Sequence, residues 1–104
     1  MTATLSTHIL DIARGRPAAG VEITLETGEG AVLATGSTND DGRVGALGGD
    51  LDPGGYVLRF ATGAYLGPDA FYPEVVVGFR VGTDEHYHVP LLLSPYGYST
   101  YRGS

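Results

Sequence analysis

The chain has 104 residues, 42% of them hydrophobic, and six basic against twelve acidic residues give it a formal net charge of −6. This size suits one domain, residues 1–104, that buries roughly 60% of the surface of its unfolded chain. The acidic balance, without a Lys- or Arg-rich patch, argues against a nucleic-acid partner. Because cysteine is absent, disulfides, a thiol nucleophile and Cys-ligated zinc are excluded. The start lacks the features of a secretory signal and no apolar run is long enough to cross a membrane, so we expect a cytoplasmic protein without a membrane partner.

Short apolar runs separated by glycine and proline extend along the whole chain, which is typical of an all-β domain. Residues 21–26 alternate apolar and polar side chains, the pattern of a half-buried strand. The spacing predicts two packed antiparallel sheets. A single helical turn is expected at 62–66, where Gly67 and Pro68 end it. The predicted strands cover residues 5–11, 21–26, 31–37, 43–47, 56–61, 74–81, 87–93 and 98–102.

The first strand carries a histidine on the face that points away from the core. Leu5 and Ile9 share one face, while Ser6, His8 and Leu10 share the other, because strand side chains alternate with a period of two. An outward face that holds Leu10 beside a histidine is too apolar for a freely solvated sheet. We therefore expect another subunit to cover this face.

An arginine follows a strong turn sequence near the middle of the chain. Residues 39–42 read Asn-Asp-Asp-Gly, so Arg43 takes the first position of a returning strand, a place that suits a ligand contact. The alternative is a surface arginine paired with Asp40 or Asp41. Such exposed pairs contribute only about 0 to 1 kcal/mol, so Arg43 would then be dispensable.

The last strands form a hairpin that returns the chain end towards a histidine. Residues 95–97, Pro-Tyr-Gly, are turn residues between two β-prone runs, and an antiparallel register centred there places Ser104 within about one residue of His88. The alternative is that His86 and His88 are polar positions on a solvated strand and that the tail is loose. Pro90 cannot donate to a β-ladder, so we expect a local irregularity there.

Three segments carry a resemblance to a known family. STHILDIARGRPAAGV, TNDDGR and HYHVPLLLSPYGYSTYRGS resemble signatures of the 5-hydroxyisourate hydrolases, enzymes of urate breakdown in the transthyretin-like family. The first two segments are shared in outline with the hormone carrier transthyretin, whereas the closing YRGS favours the enzyme. The resemblance implies an all-β, transthyretin-like (prealbumin-like) sandwich of two antiparallel four-stranded sheets with one short helical turn. It also implies a homotetramer with a channel between dimers.

The resemblance further implies the reaction and its residues. The substrate would be a small oxidised purine, 5-hydroxyisourate, hydrolysed to 2-oxo-4-hydroxy-4-carboxy-5-ureidoimidazoline by His-assisted attack of water with Arg stabilisation. No cofactor and no metal are expected. His86, which shares the parity of His88, is the alternative base, and Asp11 is a candidate to orient His8. The implied catalytic residues are His8, Arg43, His88 and Ser104, and the implied substrate-binding residues are His8, Arg43, Tyr101, Arg102 and Gly103.

Residue chemistry by itself leaves three functions open, because a fold does not imply a function. A hydrolase is one. A non-catalytic transthyretin-like carrier of a small aromatic ligand is the second, and it predicts saturable binding without turnover. A structural β-sandwich that works through an open strand edge is the third, and it predicts that the histidines and Arg43 are replaceable.

Overall fold

The chain folds into two β-sheets packed face to face. The computed structural model describes residues 3–83 and 85–103. No helix in this described part is long and apolar enough to cross a membrane. In chain order the elements are β1 Thr4–Asp11, β2 Arg16–Pro17, β3 Glu22–Thr27, β4 Val32–Ser37, β5 Arg43–Val44, β6 Gly54–Phe60, α1 Thr62–Leu66, β7 Val75–Val81, β8 His86–Ser94 and β9 Gly97–Thr100.

The predicted two-sheet sandwich is confirmed, but both sheets were expected to be antiparallel and one of them contains a parallel pair. One sheet has the order β4-β3-β6-β7 and is antiparallel throughout. The other has the order β2-β1-β8-β9, with β5 also paired to β1, and β1 and β8 run parallel. Parallel neighbours need a long crossover connection. Here the connection between β1 and β8 includes all four strands of the antiparallel sheet, so two strands that are far apart in the chain become neighbours.

Alternation along the strands sets which side chains form the core. In β1, Leu5, Thr7 and Ile9 are fully buried, and the residues between them face outwards and are half-buried. Full burial of a leucine or isoleucine side chain contributes about 1.5 to 3 kcal/mol, so a one-residue slip of β1 would be costly. The predicted alternation of inward and outward side chains in β1 is confirmed, and Ser6 and His8 lie on the outer face of their sheet.

The irregularity expected at Pro90 occurs on one side of β8 only. The ladder between β8 and β1 runs without a break through the pair His8–Pro90. The ladder between β8 and β9 stops at the pair Leu91–Thr100 and resumes as a single bridge between His88 and Gly103. The Thr100 hydroxyl donates to the Pro90 carbonyl oxygen at 2.7 Å, which satisfies that acceptor where the ladder is interrupted.

Most predicted strand bounds differ from the structure by one or two residues, and two differences are larger. The strand predicted at 43–47 ends at Val44, because the chain turns at Ala46, which has a positive φ of 46°. The two-residue strand Arg16–Pro17 was not predicted, and its partners in β1 are Leu10 and Asp11. The helical turn Thr62–Leu66 is confirmed.

Candidate functional site

The parallel pairing of β1 with β8 gathers the histidines on the outer face of one sheet. Its register sets Thr4 opposite His86, Ser6 opposite His88, and His8 opposite Pro90. Side chains at these paired positions point to the same side of the sheet. None of these contacts could be inferred from local sequence, because the partners lie about eighty residues apart in the chain.

One serine hydroxyl joins two imidazoles. Ser6 Oγ lies 2.8 Å from His86 Nε2 and 2.7 Å from His88 Nδ1. Thr4 Oγ1 lies 2.6 Å from His86 Nδ1, so both ring nitrogens of His86 are engaged by side chains of β1. Within the described residues, His88 Nε2 has no hydrogen-bond partner. The two histidines that the sequence left as alternatives therefore differ, since His88 retains a ring nitrogen that can bind a ligand or a proton.

A tight turn places Arg43 beside His8. The Asn39 side-chain oxygen accepts hydrogen bonds from the N–H groups of Asp41 and Arg43, at 2.9 and 3.0 Å. Gly42 has a φ of 74°, and a Cβ at this position would collide with the Ile9 carbonyl oxygen, so glycine is required on both counts. The turn pairs β5 with β1, and Arg43 stands directly opposite His8.

The Arg43 guanidinium makes none of the ion pairs found in the described part of the chain. The structure therefore does not contain the alternative ion pair between Arg43 and Asp40 or Asp41. We name the outer-face group Ser6, His8, Arg43, His86 and His88 the histidine cluster.

Electrostatics within the histidine cluster favour a neutral His88. Burial lowers the pKa of His88 below its usual value near 6.5, and the positive charge of Arg43 lowers it further, with smaller effects of the same sign from His8 and His86. A neutral imidazole at neutral pH can accept a proton, which is the requirement for a general base.

A backbone hydrogen bond holds Gly103, near the chain end, beside the histidine cluster. The N–H of Gly103 donates to the His88 carbonyl oxygen at 2.8 Å, and the two residues form the bridge that resumes the β8–β9 pairing. A Cβ on Gly103 would lie only 2.6 Å from His88 Cδ2, so any larger residue would push the imidazole aside. The predicted hairpin register is confirmed to within one residue. Ser104 lies outside the described residues.

The side chains of Tyr101 and Arg102 are not brought to the histidine cluster. Both line a pocket of about 140 Å³ between the two sheets, together with Phe79 and Tyr87. The Arg102 guanidinium forms an ion pair with Glu85 and lies over the Tyr87 ring, 4.6 Å from its centroid. Successive residues of a regular strand point to opposite faces, and the ladder break opposite Pro90 allows both side chains to face the same pocket.

Asp11 does not orient His8, and that hypothesis is wrong. Asp11 is buried on the inner face of β1, where its carboxylate accepts hydrogen bonds from the N–H groups of Ala13 and Arg14 and from the Tyr65 hydroxyl, the last at 2.7 Å. His8 is on the opposite face. Burial by itself would raise the pKa of Asp11, but the hydrogen bonds from Tyr65, Arg14 and Ala13 more than offset it and hold the pKa below its usual value.

Ser6 and Thr4, which contact the histidines of β8, were not among the site residues predicted from the sequence. Ser6 shares the outward parity of His8, and this signal was visible in the sequence. Its partners in β8 were not, because they depend on the parallel register. Among the described residues, no group of three or more histidine, aspartate or glutamate side chains is arranged so that it could hold a metal ion.

Comparison with known proteins places this geometry in a family. The HIUase/Transthyretin family model matches residues 5–103. A 5-hydroxyisourate hydrolase of Salmonella dublin is 51% identical over an alignment that covers 96% of this chain and 80% of the relative. The structure of Klebsiella pneumoniae 5-hydroxyisourate hydrolase superimposes with a TM-score of 0.90 at 42% identity, covering 98% of this chain and 99% of the other. Sea bream transthyretin in complex with thyroxine superimposes with a TM-score of 0.87 at 31% identity, covering 96% and 94%.

Proposed function

Because the chain belongs to the HIUase/Transthyretin family, we propose that it hydrolyses 5-hydroxyisourate to 2-oxo-4-hydroxy-4-carboxy-5-ureidoimidazoline in urate degradation. The observation that carries this proposal is the arrangement of His88, whose pKa is lowered and whose Nε2 has no partner in the described residues, beside His8 and Arg43. Such an arrangement can activate water without a nucleophilic side chain. We further propose that the enzyme works in the cytoplasm.

In the proposed mechanism, water attacks the acyl carbon of the six-membered ring that is bonded to nitrogen. His88 Nε2 takes a proton from the water as the new C–O bond forms, a contribution of about 10² to 10⁴ in rate. The C–N bond then breaks, and the leaving nitrogen receives a proton from His88. The ring opens, and the imidazole returns to its neutral form.

Arg43 and His8 lie opposite each other on the outer face of the sheet. We propose that they hold the substrate's carbonyl oxygens. Negative charge develops on an oxygen when water adds to an acyl carbon. Removal of one donor that stabilises such an oxygen costs about 3 to 4 kcal/mol in enzymes that use this device. Arg43 has no carboxylate partner among residues 3–83 and 85–103, so its guanidinium donors are available to the ligand there.

The terminal segment is proposed to close the site. Gly103 abuts the His88 ring, and Ser104, the next residue, is proposed to orient the attacking water. Tyr101 and Arg102 are proposed to serve substrate binding by anchoring this segment, since Arg102 is fixed to Glu85 and stacked on Tyr87. A shift of the anchor would move Gly103 and, with it, the His88 ring.

We propose that the active protein is a homotetramer in which a second copy covers the outer face. The pair Leu10–Leu92 lies on that face next to His8, and both leucines are half-buried in the single chain. An apolar pair beside charged and polar groups is typical of a surface that a partner covers. Size-exclusion chromatography with light scattering measures the number of copies.

The carrier function is the second candidate, because sea bream transthyretin shares this fold. Among the structural superpositions, the higher identity to a 5-hydroxyisourate hydrolase, 42% against 31%, favours the enzyme. A carrier would bind an aromatic ligand saturably and would not turn it over.

The decisive experiment produces 5-hydroxyisourate from urate in a cuvette and follows its ultraviolet decay with and without the protein. We expect the wild-type chain to accelerate the decay and a variant that lacks residues 101–104 to lose the acceleration while remaining folded by circular dichroism. A folded wild-type protein that leaves the spontaneous rate unchanged overturns the hydrolase proposal and favours the carrier. Because the proposed mechanism uses no metal, activity is expected to persist after dialysis against a chelator, and loss of activity that zinc restores would contradict this.

A further inference from the structure

We infer that Ser6 is a proton relay that connects His88, the proposed base, to the solvent-exposed His86. This inference rests on the proposed hydrolase function and assigns roles to two residues outside the predicted catalytic set. The geometry behind it is the single Ser6 hydroxyl, which lies within hydrogen-bond distance of one nitrogen of each imidazole.

The relay follows from the number of hydrogens available. A serine hydroxyl has one hydrogen to donate and lone pairs to accept with, so it can donate to only one of the two rings. The other ring must donate to Ser6. If His88 carries its hydrogen on Nδ1 and donates it to Ser6, then Ser6 donates to His86 Nε2 and His86 donates Nδ1–H to Thr4 Oγ1, 2.6 Å away. In this arrangement His88 Nε2 is left with a free lone pair.

Protonation of His88 by the attacking water would drive the relay in one direction. As His88 Nε2 gains a proton, its Nδ1–H bond breaks and that proton binds Ser6 Oγ. The original Ser6 O–H bond breaks, and its proton binds His86 Nε2. The positive charge now lies on His86, while His88 is neutral with its hydrogen on Nε2. When the C–N bond breaks, His88 gives that hydrogen to the leaving nitrogen, and the relay reverses to restore the starting arrangement.

The surroundings of the two rings explain why the charge would move. The charged or titratable groups that face His88 are Arg43 of β5, His8 of β1 and His86 of β8. Together with burial they disfavour a positive charge there by more than the hydrogen bond with Ser6 favours it. His86 is exposed in the single chain and lies at the start of β8, six residues from Leu92 of the proposed interface, so an imidazolium at that position keeps its hydration. The relay therefore transfers the charge away from the Arg43 guanidinium during the step in which that guanidinium binds developing negative charge.

The test compares Ser6→Ala, His86→Gln and the double variant, with Ser37→Ala as the matched control on an exposed strand position of the other sheet. We expect each single variant to lose about 10- to 100-fold in kcat with KM within about twofold, and the double variant to be no slower than the slower single one. Ser6→Thr, which keeps the hydroxyl, should restore most of the rate. Losses that multiply in the double variant, or a Ser6→Ala enzyme as fast as wild type, overturn the relay.

A second measurement does not depend on turnover. Nitrogen-15 spectra of the histidine rings report which ring nitrogen carries the hydrogen, and we expect His88 to favour Nδ1–H in the wild type and to lose that preference in Ser6→Ala. An unchanged preference contradicts the Ser6 hydrogen bond and so the relay. If the wild-type chain does not accelerate decay of 5-hydroxyisourate at all, the proposed function fails, which differs from an active wild type with a fully active Ser6→Ala variant.

Discussion

Two groups of titratable side chains lie on opposite faces of the same sheet, and their hydrogen bonding differs. On the inner face, the Asp11 carboxylate accepts three hydrogen bonds, from Tyr65 and from the N–H groups of Ala13 and Arg14. On the outer face, the histidine cluster leaves His88 Nε2 without a partner in the described residues. The pKa of Asp11 and the pKa of His88 are both lowered. A lowered pKa by itself therefore does not distinguish a structural group from a reactive one. The distinguishing feature of His88 is a ring nitrogen, Nε2, that no group in the described residues binds.

The largest expected effect separates the two histidines of β8. His88→Ala should lower kcat/KM by about 100-fold or more, because it removes the proposed base. His86→Ala should cost less, since His86 acts through Ser6. The decay assay measures both, and thermal unfolding verifies that each variant is folded. An inactive His86→Ala variant beside an active His88→Ala variant would reverse the assignment.

Substitution of Arg43 tests the electrostatics of the outer face. Arg43→Met should reduce kcat/KM by about 100-fold, as expected when a donor to a developing oxyanion is removed. It should also raise the pKa of His88, because the positive charge that disfavours the imidazolium is gone. NMR titration of the ring measures the pKa directly. Arg16→Met, at an exposed position of β2, is the control, and a fully active Arg43→Met enzyme would support the dispensable surface arginine.

The contact between the chain end and His88 gives a smaller, purely steric prediction. Gly103→Ala introduces a Cβ 2.6 Å from His88 Cδ2, so the ring must move, and we expect a loss of roughly 10-fold in kcat. Gly97→Ala is the matched control in β9, because its Cβ would meet only Ser94 Oγ at an ordinary 3.7 Å. Equal activity of the two variants would show that the position of the His88 ring is not critical.

Loss of the hydrogen bond between Tyr65 and Asp11 on the inner face should change the stability of the protein and not its activity. Tyr65→Phe removes a hydrogen bond to a buried carboxylate and should lower the free energy of unfolding by about 1 to 3 kcal/mol at neutral pH, with kcat unchanged. The folded-state pKa of Asp11 is depressed, so the stabilisation is present above the unfolded value near 3.8 and is lost as the pH falls through the folded pKa. The difference between wild type and variant should therefore narrow in acid. Urea unfolding at several pH values measures this, and a gap that widens below pH 4 would contradict it.

Much of the fold and part of the site could be predicted from the sequence, because those features are local. The alternation in β1 fixed which side chains face out, the turn at 39–42 placed Arg43 at the start of a strand, and the turn residues at 95–97 returned the chain end to His88 within one residue of the predicted register. Each of these depends on backbone sterics and hydrogen bonds between near neighbours in the chain.

Only the tertiary structure decided which residues share the site. The parallel pairing of β1 with β8 brings Ser6 to His86 and His88, and the interruption of the β8–β9 ladder opposite Pro90 turns Tyr101 and Arg102 towards the other sheet. These outcomes depend on how two complete sheets bury their apolar faces against each other. That free energy belongs to the whole sandwich, so no short segment of the chain contains it.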